Sequence, residues 1–439
     1  MKKKILIIQP TPYDWQGNLV KKKKLYFVGL ALPLLAALTP DDFEVELCYE
    51  TIEDVPFDTD AELIGISSMG HAVIRTIDIA KEFKKRGKTV ILGGYMVSLV
   101  PEEAKKYCDS VIIGDAEEVW EDMLDDYLRG TLQKEYRKKL TSLHTPLPRY
   151  EMILDKRIGN FLPVQAGRGC AKSCSFCSIY CLYQGQYLKR EIPEVIRDIV
   201  RVKELGFKQF LLLDDNIFSD RDYALSLCAE IKKLKMRWMT QCSVDIAKDT
   251  ELLNAIADSG CYIMSFGLES ISRESLLGMN KAWAHPDKYS EQLSIIRKHG
   301  IDIASEMVVG ADGDTLESIA ATARFVEKNK IAVPKFYILT PIPGTKYHDE
   351  MEEQGRIYNT DMYSYNSCEA VHIPKNMTPE ELTEAYWKLY NDVYSIRCIL
   401  KRTVFTKEFF RKPFVMSFYF FVNMFYRKHI KKGIVPNII

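Results

Sequence analysis

The sequence predicts an α/β protein with three parts: a doubly wound, Rossmann-like domain, a partial (β/α)6 barrel of the TIM type, and a helical C-terminal extension. Three observations support this prediction. Short aliphatic runs alternate with helical stretches over the first 125 residues or so, about six further units of this kind follow residue 160, and the pattern turns helical from about residue 375. Alternating strands and helices are typical of parallel sheets covered by helices.

Length and charge limit the classes of function. The chain has 439 residues, which is more than one ordinary core accommodates. Its 60 basic and 60 acidic side chains give a formal net charge of zero, so no global field attracts nucleic acid, and we predict no such partner. The N-terminal apolar run stops at Gln9-Pro10, too early for a signal peptide. Eleven cysteines without a secretory signal predict reduced thiols in the cytoplasm.

The first predicted domain covers residues 1–128. Its predicted strands are Ile5–Ile8, Glu44–Leu47, Leu63–Ser67, Thr89–Leu92 and Ser110–Ile113, and its predicted helices are Val28–Leu38, Ala72–Lys85 and Glu117–Leu128. Doubly wound sheets bind ligands beyond the carboxyl ends of their strands. Candidate ligand-binding residues at those ends are Ser67, Gly93, Gly94 and Gly114. The Gly93-Gly94 pair is equally consistent with an ordinary turn.

A predicted linker, 129–160, leads into the predicted barrel, 161–374. The barrel strands are predicted at Pro163–Ala166, Gln209–Leu213, Met239–Cys242, Tyr262–Phe266, Ala304–Val308 and Lys335–Leu339, with helices that include Ile192–Leu205, Tyr223–Leu234 and Thr250–Ser259. About six units fall short of eight, so the barrel is partial. In the extension, 375–439, Thr378 and the Pro-Glu-Glu that follows it predict a capped helix through Tyr394.

Three cysteines follow the first barrel strand directly: Cys170, Cys174 and Cys177. Thiolates this close together on a glycine-flanked loop can hold one [4Fe–4S] cluster. Three protein ligands leave one iron open, and an open iron can chelate S-adenosylmethionine (SAM) and pass an electron to its sulfonium. Two alternatives stay open at this point: small core residues on one helix face, and a closed ferredoxin-like cluster completed by Cys181.

The cysteine spacing C-x3-C-x2-C, with Phe176 just before the last cysteine, resembles the signature of radical SAM enzymes. The resemblance extends over roughly residues 5–400. It is nearest to the class B branch with a cobalamin-binding-type domain, which includes the hopanoid methylases and the anaerobic Mg-protoporphyrin cyclase. The similar segments are Gly114-Asp115-Ala-Glu117, Leu213-Asp214-Asp215-Asn216, Gly267-Leu-Glu269-Ser270, Met279-Asn-Lys281 and Leu339-Thr340-Pro341-Ile-Pro343-Gly344-Thr345.

The resemblance implies three cofactors: the cluster on the three cysteines, SAM and cobalamin. It implies Asp214, Asp215 and Glu269 at the polar end of SAM, although Asp-Asp-Asn is also a good turn and Glu269 also a helix cap. Residues implied near SAM, mainly its adenosine, are Phe176, Ile179 and Gly310, and those implied for cobalamin are Ser67, Gly93, Gly94 and Gly114. No Asp-x-His-x-x-Gly string is present, so cobalamin would lack a protein histidine on cobalt, or the domain would serve packing or substrate capture instead.

The implied reaction is methylation of an unactivated carbon on a hydrophobic, lipid-like substrate through a 5′-deoxyadenosyl radical. A flavodoxin or ferredoxin would be the reductant. Radical oxidation, cyclisation or C–C coupling without methyl transfer is the first alternative. An electron-transfer or cluster-sensing protein without SAM turnover is the alternative from another class.

The tail combines aromatic and basic residues. Residues Arg397–Lys432 contain ten Lys/Arg and one Glu, and enclose a mostly apolar run of 13 residues, Phe414–Tyr426. That run is shorter than the ~20 residues that span a bilayer. It predicts either an interfacial helix on an anionic membrane or a cover for the open edge of the barrel. The predicted location is therefore cytoplasmic, with peripheral membrane contact under the first interpretation.

Overall fold

The structure is a computed structural model that describes residues 2–14, 16–68 and 70–436. Residues 437–439, the end of the predicted extension, lie outside the described residues. The chain divides into two compact units, one of Met1–Arg168 with Leu188–Leu213 and one of Gly169–Tyr187 with Asp214–Ile439. The predicted domain boundaries at 128, 160 and 374 stay predictions.

A six-stranded parallel sheet with the order β2-β1-β3-β4-β5-β6 is the centre of the first unit. Its strands are β1 Lys3–Gln9, β2 Phe43–Tyr49, β3 Leu63–Ser67, β4 Thr89–Gly93, β5 Ser110–Ile113 and β6 Glu135–Arg137. The strand order reverses between β1 and β3, which is the point where doubly wound sheets bind ligands. The interior strand residues Leu6, Ile8 and Ile64 are buried in one apolar core with Phe83, so these aliphatic runs form strands covered by helices.

All five strands predicted for the first domain are present, whereas β6 was missed. It has three residues, only Tyr136 of which is buried, and it lies within the predicted linker. A strand this short has no hydrophobic run to reveal it. The helices of this unit are α1 Ala31–Leu38, α2 Val73–Lys85, α3 Tyr95–Leu99, α4 Pro101–Ala104, α5 Trp120–Arg129 and α7 Ile192–Glu204.

The six strands predicted for the barrel are also present. They are β7 Leu162–Gln165, β10 Gln209–Leu213, β11 Arg237–Cys242, β12 Cys261–Glu269, β13 Asp302–Val309 and β14 Val333–Ile338, and the short β8 Gly167–Gly169 and β9 Tyr187–Lys189 flank the cysteine loop. In the first unit β7 pairs in parallel with β10. In the second unit β11, β12, β13 and β14 pair in parallel in that order. The carboxyl ends of these four strands therefore meet at one edge.

Helices make up most of the rest of the second unit. They are α6 Ser178–Tyr183, α8 Arg221–Leu234, α9 Thr250–Asp258, α10 Arg273–Gly278, α11 Tyr289–Lys298, α12 Leu316–Lys328, α13 Lys346–Glu353, α14 Pro379–Val393, α15 Ile396–Thr403, α16 Lys407–Arg411 and α17 Pro413–Ile430. The predicted cap of α14 is confirmed: the Thr378 hydroxyl accepts from the Glu381 N–H, and the Glu381 carboxylate accepts from the Thr378 N–H. No described helix is long and apolar enough to cross a membrane.

Aromatic residues of α14 cover β14, the last strand in the order β11-β12-β13-β14. The Tyr390 hydroxyl accepts from the Phe336 N–H at 2.9 Å, and the Tyr394 hydroxyl donates to the Pro334 carbonyl at 2.6 Å. Tyrosines of α14, which precede the predicted aromatic run, thus satisfy part of the backbone of β14. An edge strand needs such partners because its outer backbone groups otherwise stay unpaired.

Candidate active site

The cysteine loop begins where a glycine is required. Gly169 has a φ of +86°, and a Cβ there would lie 2.1 Å from the Gln186 carbonyl oxygen, so no other residue fits. Its N–H donates to the Asp215 carboxylate at 2.7 Å. Cys174 is buried, while Cys170 and Cys177 are half-buried. The chain thus turns sharply just before the first cysteine.

A segment more than 100 residues away in sequence supports this loop. The Ser175 N–H donates to the Met279 carbonyl at 3.1 Å, and the Asn280 amide donates to the Ser173 carbonyl at 2.6 Å. A third contact comes from α13, where the Tyr347 N–H donates to the Ser175 carbonyl at 3.0 Å. Both polar groups of the Ser175 backbone are therefore bonded, which fixes the middle of the loop.

The donor set suits an iron–sulfur cluster. Burial, and less strongly the repulsion between this thiolate and those of Cys174 and Cys170, raises the pKa of Cys177 to about 12. A bound cationic centre reverses this balance by deprotonating coordinating thiols. Among the described residues no three or more His, Cys, Asp or Glu side chains surround a single-ion site. Cluster thiolates each bind a different iron and need not converge on one point.

Three polar residues follow β10 as predicted: Asp214, Asp215 and Asn216. Their side chains form different hydrogen bonds. Asp214 is buried and accepts from the Tyr187 hydroxyl at 2.6 Å and from the Asn216 N–H at 2.9 Å. Burial raises the pKa of this carboxyl to about 7. The Asn216 amide lies 3.7 Å from the Cys170 sulfur. An acidic group poised between its two protonation states near neutral pH is typical of a functional site.

Glu269 ends β12, and its partner is Lys281. Its φ of +59° is unusual for a non-glycine residue, and the register of β12 against β13 shifts between Gly267 and Glu269. The Lys281 ammonium donates to the Glu269 carboxylate and to the Gly267 carbonyl, each at 2.7 Å. Both side chains are about nine-tenths buried. The strand irregularity thus directs a buried carboxylate and its cation to the carboxyl end of β12.

Gly310 follows β13 and is held by Asp314. The Asp314 carboxylate accepts from the Gly310 N–H at 2.9 Å and from the Ser275 hydroxyl at 2.7 Å, and the His372 ring lies 3.1 Å from the Gly310 carbonyl. Burial lowers the pKa of His372, which favours the neutral ring. Two other predicted residues belong to this unit. Phe176, which stands between Cys174 and Cys177 in the sequence, is half-buried, and Ile179 lies in the first turn of α6.

The predicted residues of the first unit lie at the strand ends of its sheet. Ser67 ends β3, Gly93 ends β4, and Gly114 follows β5. Gly94 has a φ of +100°, and a Cβ there would lie 2.3 Å from the Ser68 carbonyl oxygen, so the fold itself requires glycine. A Cβ at Gly93 would only make ordinary contact with Ile112 at 3.8 Å. The two glycines therefore differ. The fold of the described protein explains why residue 94 is a glycine, but it gives no structural reason for a glycine at residue 93.

Comparison with known proteins gives the family. The radical SAM superfamily model matches residues 164–326. Bacteriochlorophyllide d C-12(1)-methyltransferase of Chlorobaculum tepidum is 31% identical over 414 residues, which is 91% of this chain and 89% of that protein. The chain belongs to the cobalamin-dependent radical SAM methyltransferase family. The family resemblance predicted from the cysteine loop is thereby confirmed, and so is the enzyme class.

A second relative and a solved structure are also similar to this chain. The hopanoid C-2 methylase of Rhodopseudomonas palustris is 24% identical over 390 residues, 84% of this chain and 72% of that protein. The structure of the cobalamin-dependent SAM radical enzyme OxsB with aqua-cobalamin and SAM bound has a TM-score of 0.67 at 13% identity, over 98% of this chain and 72% of that one. The predicted α/β fold class is confirmed. The cofactors of the family are a [4Fe–4S] cluster, SAM and cobalamin, as predicted.

Sequence reasoning missed the side-chain contacts of several residues of this radical SAM methyltransferase. Arg168, two residues before Cys170, donates to Asp115 and Glu117, each at 2.6 Å. Asn280 and Lys281 contact the cysteine loop and Glu269, as described above. All of these lie in or beside segments quoted for the family resemblance, so those segments were the signal that could have revealed them.

Proposed function

We propose that this chain transfers a methyl group to an unactivated carbon of a large hydrophobic substrate of the tetrapyrrole or hopanoid kind. The observation that carries the proposal is the supported three-thiol loop in a chain whose named relatives act on bacteriochlorophyllide d and on hopanoids. The cluster supplies the electron that cleaves SAM, and cobalamin supplies the methyl group. The protein's part is to bind, orient and shield these groups.

The roles of the individual residues form part of the proposal. Cys170, Cys174 and Cys177 hold the cluster. Asp214, Asp215 and Glu269 receive the amino end of SAM, because carboxylates at the carboxyl ends of strands favour an ammonium group. Residues proposed near SAM, mainly its adenosine, are Phe176, Ile179 and Gly310. The pKa of Asp214 near 7 supports this assignment, since an approaching cation stabilises the ionised carboxylate.

Cobalamin is proposed to lie at the strand ends of the first sheet, beside Ser67, Gly93 and Gly114. The reversal of strand order between β1 and β3 supports this location. Gly94 belongs to the same loop, where its role is to allow the close approach of Ser68. No protein histidine is proposed as a ligand to cobalt, because the chain has no Asp-x-His-x-x-Gly string.

Enzyme purified from cobalamin-fed cells should therefore carry a corrin absorption spectrum of the form without a histidine ligand. Gly93→Leu should lower the corrin content several-fold, because the new side chain enters the ligand space while its Cβ meets only ordinary contacts. Gly278→Leu is the matched control. Gly278 is the last residue of α10, and a Cβ there would have no atom within 4 Å. The measurement is corrin absorbance per protein after gel filtration.

The outcome of this experiment decides the methyl-donor part of the proposal. If the wild-type protein takes up no corrin, the proposed role of the first sheet is refuted, and only the proposal of SAM cleavage remains. Equal corrin content in the Gly93→Leu and Gly278→Leu proteins would place cobalamin elsewhere. Gly94 is not suitable for this test, because any side chain there collides with the Ser68 backbone and disturbs the fold.

The cellular setting is proposed from the chemistry of the thiols. All eleven cysteines are free, and buried or half-buried thiols of this kind persist in a reducing cytoplasm. We propose a flavodoxin- or ferredoxin-type protein as the electron donor and no nucleic-acid partner. The domain limits 1–128, 129–160, 161–374 and 375–439 also remain proposals.

A further inference from the structure

The C-terminal helix α17 has two faces of opposite kind. Its buried face is held in place by polar contacts: the Tyr419 hydroxyl donates to Asp302 at 3.0 Å, and the Asn423 amide donates to the Ala332 carbonyl at 2.9 Å. Asn423 also accepts from the buried Arg402 at 2.9 Å. Specific, buried hydrogen bonds define one orientation of the helix. The outward face is therefore fixed by the fold.

Phenylalanines occupy that outward face. Phe414 is 91% exposed, Phe418 62%, Phe421 67% and Phe425 37%. Their spacing of four, three and four residues places them along one side of α17, over about 17 Å. Two more exposed phenylalanines, Phe405 and Phe410, come just before the helix. Single exposed apolar residues are ordinary, but a contiguous row of aromatic rings marks an interaction surface.

Basic side chains lie at both ends of this row, which we call the phenylalanine face (Phe414, Phe418, Phe421 and Phe425). Exposed Lys407 and Arg411 precede it, and exposed Lys428, Lys431 and Lys432 follow it. Glu408 is the only acidic residue between 397 and 432. Aromatic rings between cationic groups suit the boundary between acyl chains and anionic headgroups.

We propose that the phenylalanine face binds the interfacial region of an anionic lipid bilayer. A second copy of the chain fits this face less well, because a two-fold contact would bring the basic ends of two identical helices together. The helix lies in the membrane plane with its rings inserted, while its other face stays on the protein. This inference does not depend on methyl transfer, so either can fail without the other.

The test is co-sedimentation of the full chain with lipid vesicles. Wild-type protein should sediment with vesicles that contain phosphatidylglycerol, bind pure phosphatidylcholine vesicles much more weakly, and lose binding as salt increases. The triple variant Phe414→Glu, Phe418→Glu, Phe421→Glu should bind anionic vesicles at least tenfold more weakly. All three positions are exposed, so its thermal unfolding should match that of the wild type.

A second triple variant controls for added charge. Leu128→Glu, Leu316→Glu, Ile396→Glu changes three exposed apolar residues that are not part of the phenylalanine face and should keep wild-type vesicle binding. Wild-type protein that does not sediment with anionic vesicles would overturn the proposal, as would unchanged binding by the phenylalanine variant. Light scattering decides the remaining case: wild-type dimers that the phenylalanine variant converts to monomers would assign the face to a second copy.

Discussion

Replacing Cys170, Cys174 or Cys177 singly with alanine is expected to abolish both the iron–sulfur cluster and SAM cleavage. Each thiol would hold a different iron. The loop that carries them is held by hydrogen bonds from the Gly169 N–H to the Asp215 carboxylate and from the Ser175 N–H to the Met279 carbonyl. No other thiol can therefore move into the missing position. The measurements are iron and sulfide content after anaerobic reconstitution, and 5′-deoxyadenosine formed with a chemical reductant.

Cys181→Ala is the matched control for the three cysteine variants. Cys181 lies in α6, four residues after Cys177, and burial raises the pKa of its thiol. This variant should retain about four irons per chain and cleave SAM. A cluster that survives loss of Cys170, Cys174 or Cys177 but disappears with Cys181 would refute the three-ligand assignment.

Lys281→Met is expected to lower the free energy of unfolding by about 3–5 kcal/mol. It leaves the buried Glu269 carboxylate without the ammonium that lies 2.7 Å away. It also removes the donor to the Gly267 carbonyl and so loosens the irregular end of β12. The measurement is chemical denaturation of the wild type and the variant under the same anaerobic conditions.

The double variant Glu269→Gln, Lys281→Met separates the ion pair from other effects. With no charge left buried, it should be more stable than Lys281→Met alone, although it lacks both charges. Glu269→Gln by itself should weaken SAM binding about ten- to a hundredfold if the carboxylate receives the SAM amino group. A double variant no more stable than Lys281→Met would show that Glu269 does not depend on Lys281 for its burial.

Much of the fold could be predicted because buried parallel strands are continuous aliphatic runs. Leu63–Ser67, Ser110–Ile113 and Gln209–Leu213 have the bounds that the sequence indicated, since Gly, Ser or Asp ends each run. The small strands β6, β8 and β9 lack such runs and were missed. The cysteine loop could be located for a different reason: metal-ligand spacing is local in sequence.

The contacts that position the site could not be predicted in the same way. Asn280 on Ser173, Lys281 on Glu269 and Asp314 on Gly310 depend on which segments the fold brings together. A side chain that donates to a distant carbonyl has no local pattern. The two interpretations of the tail illustrate the same limit: a helical run of aromatics does not reveal that Tyr419 faces the protein while Phe418 faces outward.

Product analysis with SAM carrying a labelled methyl group tests the central claim most directly. With the true substrate and corrin-replete enzyme, S-adenosylhomocysteine and 5′-deoxyadenosine should form in about equal amounts, and the label should appear in the tetrapyrrole or hopanoid product. One SAM supplies the methyl group and a second supplies the radical, so the two products must appear together. Formation of 5′-deoxyadenosine and a modified substrate, without S-adenosylhomocysteine or label, would contradict methyl transfer.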